Sequence, residues 1–254
     1  GNGATTTSTS TTYNSNITIK GNTIHSDSSL NGAPYCSISV SNPDTSTTNQ
    51  GIIIENNIIK DFGSYGFYGR FSSGLTFTKN TISNNLTTVN TGTKYGVYIY
   101  NSSFGSAFSP KAANLITNNI LKDLAAPSNT SYIYGIYHIN SYGKGDLRVV
   151  NNDITMNTAG SLYAIRVSGP SATYAVSPGF KDIMHNTIQV TGTKVTSYTY
   201  QRLIYSSYND GDVQNNLMYC DAKNVYVNYG MYLFSNNGTV SNNNLDLRDM
   251  TYTP

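Results

Sequence analysis

The chain has no tryptophan, a single glutamate, only two cysteines and few charges of either sign. Charged residues make up 11% of its 254 positions and the net charge is +2, so no basic field gathers phosphates and no acidic run invites a polycation. Nucleic acid is therefore not an expected partner. No apolar run approaches the roughly 18 residues of a membrane-spanning helix. No charged segment followed by an apolar stretch opens the chain, and residues 1–15, rich in Thr and Ser, read as a lead-in whose targeting signal lies elsewhere. Helix formers are scarce at 3.6-residue spacing, and "AFSPKAANLI" (107–116) alone accommodates a helical turn. With Glu55 the only glutamate and no Asp-Asp pair, little carboxylate is at hand for acid/base hydrolysis. No His, Cys and Asp spacing matches a zinc site, and no cofactor motif is present.

What remains is a polar β chain dominated by Asn, Ser, Thr, Gly and Tyr, with 22 Gly and 22 Tyr. Its organisation shows in "IIIENNIIKDF" (52–62), where asparagines interrupt what otherwise reads as a buried strand. The pattern apolar-x-x-Asn-x-apolar recurs eight times, around Asn22, Asn57, Asn80, Asn119, Asn152, Asn186, Asn216 and Asn243. A second pattern, Tyr-Gly-apolar-Tyr-apolar, alternates with it at "YGFYG" (65–69), "YGVYI" (95–99), "YGIYH" (134–138) and "YGMYL" (229–233). Its looser copies are "YAIRV" (163–167) and "QRLIY" (201–205), and "CSISV" (36–40) is the first of the series. Short period-2 strands separated by polar bends at a regular interval predict a coil of parallel strands, one elongated domain over 16–254. At each bend the repeated asparagine is expected to adopt the left-handed conformation, which Asn tolerates best after Gly. Stacked at about 4.8 Å per turn, the asparagine amides would bond along the axis.

These repeats resemble right-handed parallel β-helix proteins. "ITIKGNTI", "IIIENNII", "LTFTKNTI" and "VVNNDI" are similar to the Asn-centred repeats of the carbohydrate-binding and sugar-hydrolase class, of bacterial cell-surface type. The resemblance implies an all-β, single-stranded right-handed parallel β-helix of about eight rungs. The enzymes of this architecture carry acidic calcium ligands with a basic proton acceptor, or Asn-Thr-Asp, Asp-Asp and Arg-Ile-Lys motifs. None is present; the nearest matches, "NTI" and "IRV", lack the carboxylate or the lysine.

Several residues remain as candidates for chemistry. Asp61 and Asp123, with Lys60 and Lys122, occupy equivalent places in "IKDF" and "LKDL" two rungs apart; they are either a carboxylate pair for catalysis or turn residues. Asp210 and Asp212 in "YNDGD" would offer oxygens to calcium, or form a tight turn. The outward fourth position of the tyrosine pattern gives Tyr68, Tyr98, Tyr137, Arg166, Ile204 and Tyr232, a stripe that would either bind glycans or stack on itself. His138 is placed on a strand, where a hydrogen-bonded core or rim role is expected; His25 and His185 are placed off strands.

Cys36 and Cys220 fall in the first and seventh rungs, too far apart for a disulfide, for which the Cα limit is about 7 Å. The expected function is a non-catalytic structural, adhesive or filament-forming element of a secreted or bacterial cell-surface protein. Neighbouring domains or copies of the chain would join at the open ends of the coil. The alternative is a polysaccharide-binding or polysaccharide-degrading module.

Overall fold

The computed structural model describes residues 14–25, 33–41, 49–85, 92–100, 112–124, 132–140, 146–157, 160–170, 179–193, 200–223 and 227–248. The helical turn considered at 107–116 lies outside them up to residue 111; beyond it, Asn114–Thr117 is a strand. Most of the lead-in, 1–13, also lies outside them.

Among the described residues the chain forms three long parallel sheets, each built from strands taken once per turn of a coil. The first runs through Thr18–Lys20, Ile53–Glu55, Thr76–Thr78, Asn114–Thr117, Leu147–Val150, Lys181–Met184, Val213–Gln214 and Val240–Ser241. The second follows each of these after a two-residue bend, from Thr23–His25 to Asn244–Leu247. The third has seven strands: Cys36–Ser41, Tyr65–Arg70, Lys94–Tyr100, Tyr132–Ile139, Ser161–Ser168, Tyr200–Asn209 and Val227–Asn236. The order of strands within each sheet is their order along the chain, which makes the molecule a parallel β-helix. His25 ends the first strand of the second sheet, contrary to its expected place off the strands.

Alternation fixes which side chains enter the coil. Inward residues align from turn to turn, as in Ile19, Ile54, Phe77, Ile116, Val149 and Ile183 of the first sheet. The third sheet contributes Phe67, Val97, Ile136, Ile165 and Ile204. These stacks merge into one continuous apolar core. Each such side chain contributes about 1.5–3 kcal/mol on burial, so the turns hold one another in register.

The repeated asparagines lie inside the bends and form an unbroken ladder. Each Nδ2 donates to the Oδ1 of the next turn's asparagine, from Asn22 to Asn57 at 3.1 Å through Asn216 to Asn243 at 2.9 Å. Each Oδ1 also accepts the backbone N–H of the preceding turn's asparagine, at 2.9–3.1 Å. The second Nδ2 hydrogen reaches back to a carbonyl of the turn before, as from Asn119 to Phe77 at 3.0 Å. All four bonding positions of the amide are thus filled inside the coil, which is why so polar a side chain can be buried there.

The left-handed conformation falls one residue earlier than the sequence suggested. Gly21, Asn56, Lys79, Asn118, Asn151, His185, Asn215 and Asn242 carry the positive φ, between 54° and 70°. The residue that bends the chain from the first sheet to the second points outward, and the asparagine after it turns inward to satisfy the bend. Asn56, the irregular neighbour in the sequence repeat, is therefore the corner residue itself. Asn dominates both places for different reasons: backbone tolerance at the first, amide bonding at the second.

Candidate functional site

The outer face of the third sheet gathers the aromatic residues. Its strands repeat Tyr-Gly-apolar-Tyr, and in Tyr65–Arg70 the exposure runs outward, inward, inward, outward. That pattern breaks strict alternation at the glycine, and the pairing between neighbouring strands skips the same residue. A Cβ on Gly66 would meet the carbonyl oxygen of Gly96 at 2.7 Å, and one on Gly96 would meet that of Gly135 at the same distance. The missing side chain lets the backbones approach and swings both flanking tyrosines to the same outer surface.

Two columns of side chains result. The first runs Tyr65, Tyr95, Tyr134, Tyr163, Arg202 and Tyr229. Its rings stack face to face, 5.0, 4.9 and 5.0 Å apart and within 11° of parallel. The second runs Tyr68, Tyr98, Tyr137, Arg166, Tyr205 and Tyr232. Here Tyr205 and Tyr232 stack at 5.1 Å, and Tyr98 lies 5.6 Å from Tyr68 and 5.2 Å from Tyr137. The columns also touch each other, as Tyr95 does Tyr98 at 4.8 Å.

Each column is interrupted by one arginine, on adjacent turns. The Arg166 guanidinium lies over Tyr137 at 4.8 Å and Tyr205 at 5.0 Å, and its Nη1 donates to the Tyr134 hydroxyl at 3.3 Å. The Arg202 guanidinium lies over Tyr163 at 5.3 Å and Tyr232 at 4.9 Å, and its Nη1 donates to the Tyr163 hydroxyl at 2.9 Å. Each cation thus takes the place of a ring in the stack. Burial pushes the phenols of Tyr95, Tyr137 and Tyr163 above the usual tyrosine range, so the face stays protonated and keeps its hydroxyl donors.

The sequence-derived stripe corresponds to the second column at Tyr68, Tyr98, Tyr137, Arg166 and Tyr232. Ile204 does not belong there: it is fully buried and pairs with Ile165 and Met231, and Tyr205 takes the outer place. This copy of the pattern therefore begins at Arg202, one residue later than "QRLIY" suggests, and Arg202 takes the first tyrosine position. The whole first column was missed, because alternation puts positions one and three on the same side. Only the glycine between them signalled otherwise.

The other candidates lie on exposed strand positions, in turns or in the interior. Asp61 and Asp123 have φ of 55° and 53°: Asp61 follows the strand Ile58–Lys60, and Asp123 sits within Ile120–Leu124 where the pairing register shifts. Lys60 and Lys122 each pair in register with Ser83 of the turn between them. Among the described residues, no hydrogen bond or ion pair joins any two of these four. Asp61 instead accepts the backbone N–H of Asn85 at 3.3 Å. Asp210 and Asp212 accept from Asn237 Nδ2 at 2.8 Å and the Thr239 N–H at 2.7 Å, and no cluster of three metal-binding side chains exists among the described residues.

Among the described residues, three basic side chains lie inside the coil. His138 pairs with Ile99 and Val167, is fully buried, and has no hydrogen-bond partner on either ring nitrogen, so the expected hydrogen-bonded core role is not what is found. Burial, with a smaller push from the Lys181 charge, lowers its pKa to about 3. Burial likewise lowers Lys181 to about 8 against the opposing pull of Asp146 and Asp210. Lys94 is also lowered by burial, and its Nζ donates to the Gly63 carbonyl at 3.0 Å. Neither cysteine forms a disulfide.

A family described as the right-handed β-helix region matches residues 3–177, more than half of the chain. No curated protein and no solved structure matches it. With eight turns of parallel strands and the ladder inside their bends, the chain belongs to the right-handed β-helix family.

Proposed function

We propose that this chain is a non-catalytic scaffold, a stiff structural or adhesive segment of a secreted or cell-surface protein. One observation carries the reading: the tyrosine faces are spent on one another. A sugar ring packs against an exposed aromatic face, whereas here successive rings cover each other at about 5 Å, and Tyr134, Tyr137 and Tyr163 keep only 7%, 8% and 6% of their exposure. Columns built this way resist bending and shear between turns. The reading is supported by the backbone at Asp61 and Asp123, whose positive φ gives each a structural role, and by the lack of a hydrogen bond between them among the described residues.

The scaffold joins its neighbours, other domains or further copies of itself, through the ends of the coil. In the last described turn Met231, Leu233 and Leu247 are only partly buried, and Leu245 and Phe234 are exposed, so apolar surface is available for a further turn. Incubation with a panel of acidic and neutral polysaccharides should release neither reducing ends nor unsaturated uronides. Release that disappears in Asp61→Ala or Asp123→Ala would overturn the scaffold reading and select the enzyme.

A further inference from the structure

Each turn of the coil is tied to the next by two series of hydrogen bonds at the asparagine bend. The side-chain series is the ladder inside the bends. A backbone series runs beside it, in which the residue after each asparagine donates its N–H to the carbonyl of the preceding turn's asparagine. Its bonds are 2.8–2.9 Å long, from Ile58 to Asn22 through Asn244 to Asn216. Both series stop at the end turns, with opposite groups left over. Asn22 spends its Nδ2 on the Lys20 carbonyl and on Asn57, both at 3.1 Å, while its Oδ1 accepts nothing among the described residues. The N–H of Thr23 holds the place in the backbone series for which no earlier turn exists among them. At the other end Asn216 fills the Oδ1 of Asn243, and the Val213 carbonyl takes one Nδ2 hydrogen at 2.8 Å. The N–H of Asn243, its second Nδ2 hydrogen and its carbonyl find no partner among the described residues.

The side chains around these groups match in the same register. Following the strand columns from one end to the other brings Val240 to the place of Ile19 and Leu245 to that of Ile24. Ile19 and Ile24 are only partly buried, and Val240 and Leu245 are 44% and 38% exposed. Ser241 falls opposite Lys20 and Asp246 opposite His25, so no like charges are set against each other. In the third sheet Ile38 and Val40 are already buried, which confines the matching surface to the first two sheets and the bend between them.

We propose that the first turn of this chain docks on the last turn of a second copy, continuing the first two sheets at the ordinary strand spacing of about 4.8 Å. The Thr23 N–H then donates to the Asn243 carbonyl of the second copy, and the N–H and Nδ2 of that Asn243 donate to the Asn22 Oδ1. These are the three bonds that already join each pair of neighbouring bends within one chain. A second copy is favoured over an unrelated protein because each end lacks, group for group and in register, what the other supplies. The two surfaces differ, so the joint does not close on itself and repeats from copy to copy. This choice of neighbour rests on the scaffold reading, yet the two fail separately. Isolated monomers would leave a scaffold with other neighbours, whereas polysaccharide cleavage would leave the joint untouched.

The test is sedimentation or light scattering of the whole chain over a wide range of concentration. The average mass should rise with concentration through dimers to longer species. Ile24→Lys and Leu245→Lys each put a charge on one end only, and each alone should stay at the mass of a single chain. Mixed in equal amounts, the two should form a particle of twice that mass and no larger, because each still offers the end that the other has lost. Circular dichroism of each variant checks that the strands are intact. A wild-type chain that stays monomeric at every concentration would overturn the proposal, whether or not either variant folds. So would a folded single variant that associates as strongly as the wild type, or a mixture of two folded variants that remains monomeric.

Discussion

Asn119 makes one contact of each kind that holds the bends together: it accepts from Asn80, donates to Asn152 at 2.9 Å, and donates to the Phe77 carbonyl. Asn119→Ala strands the buried N–H of Asn80 and takes a donor from the Phe77 carbonyl and from the Oδ1 of Asn152, which keeps the Asn119 N–H. At roughly 1–3 kcal/mol for each unsatisfied group, a loss of about 2–5 kcal/mol is expected, measured by urea unfolding. The asparagine at this place was legible in the sequence from its spacing; the role of the residue before it was not. Lys79 and His185 share no side-chain chemistry with Gly21 or Asn56, and what unites them is a backbone angle that side-chain pattern does not display. His138 was likewise legible as a strand residue, but its missing partners depend on what the neighbouring turns place around it. Its pKa of about 3 lies below the ordinary 6.5, so the fold favours the neutral ring. That contribution is fully present above pH 6.5 and is lost as pH falls toward 3, at about 1.4 kcal/mol per unit of separation. Between pH 6.5 and 3, stability by chemical denaturation should fall less steeply in His138→Leu than in the wild type.

At the scale of the strand, the tyrosine face turns on glycine. Gly96→Ala pushes a methyl group into the Gly135 carbonyl 2.7 Å away and should cost about 1–3 kcal/mol in thermal or urea unfolding. Gly21→Ala meets no atom within 4 Å, yet it too should destabilise, by about 1–2 kcal/mol, because φ is +70° there. Gly21→Asn should recover most of that loss and Gly96→Asn none, which separates conformational strain from steric contact. The same glycine explains how far the sequence could be followed. Period-2 reasoning identified the core stacks and half of the aromatic face, including Tyr68, Tyr98 and Tyr137, because in those stretches the strands alternate. It missed Tyr65, Tyr95 and Tyr134 because alternation fails at Gly66, Gly96 and Gly135.

For the molecule as a whole, the distance between the two cysteines tests the coil. Cys36 lies in the first strand of the third sheet and Cys220 in the seventh strand of the second, and neither forms a disulfide. Burial raises the Cys36 thiol to about 11 and Cys220 is fully buried, so a thiol reagent at pH 8 should label neither quickly in the folded chain and both after unfolding. The asparagine ladder has a further consequence at this scale. All seven side-chain links run the same way, each Nδ2 pointing toward later turns and each Oδ1 toward earlier ones. The backbone N–H groups bonded to Oδ1 fix that orientation, so no single amide can flip without losing a partner. Aligned amide dipoles reinforce one another, and the coil has an arrow built into it: a carbonyl-bearing tail and an amino-bearing head. Two copies meeting head to tail continue the arrow, whereas two heads or two tails set like poles against each other, so any filament built by end-to-end stacking of this chain must be polar.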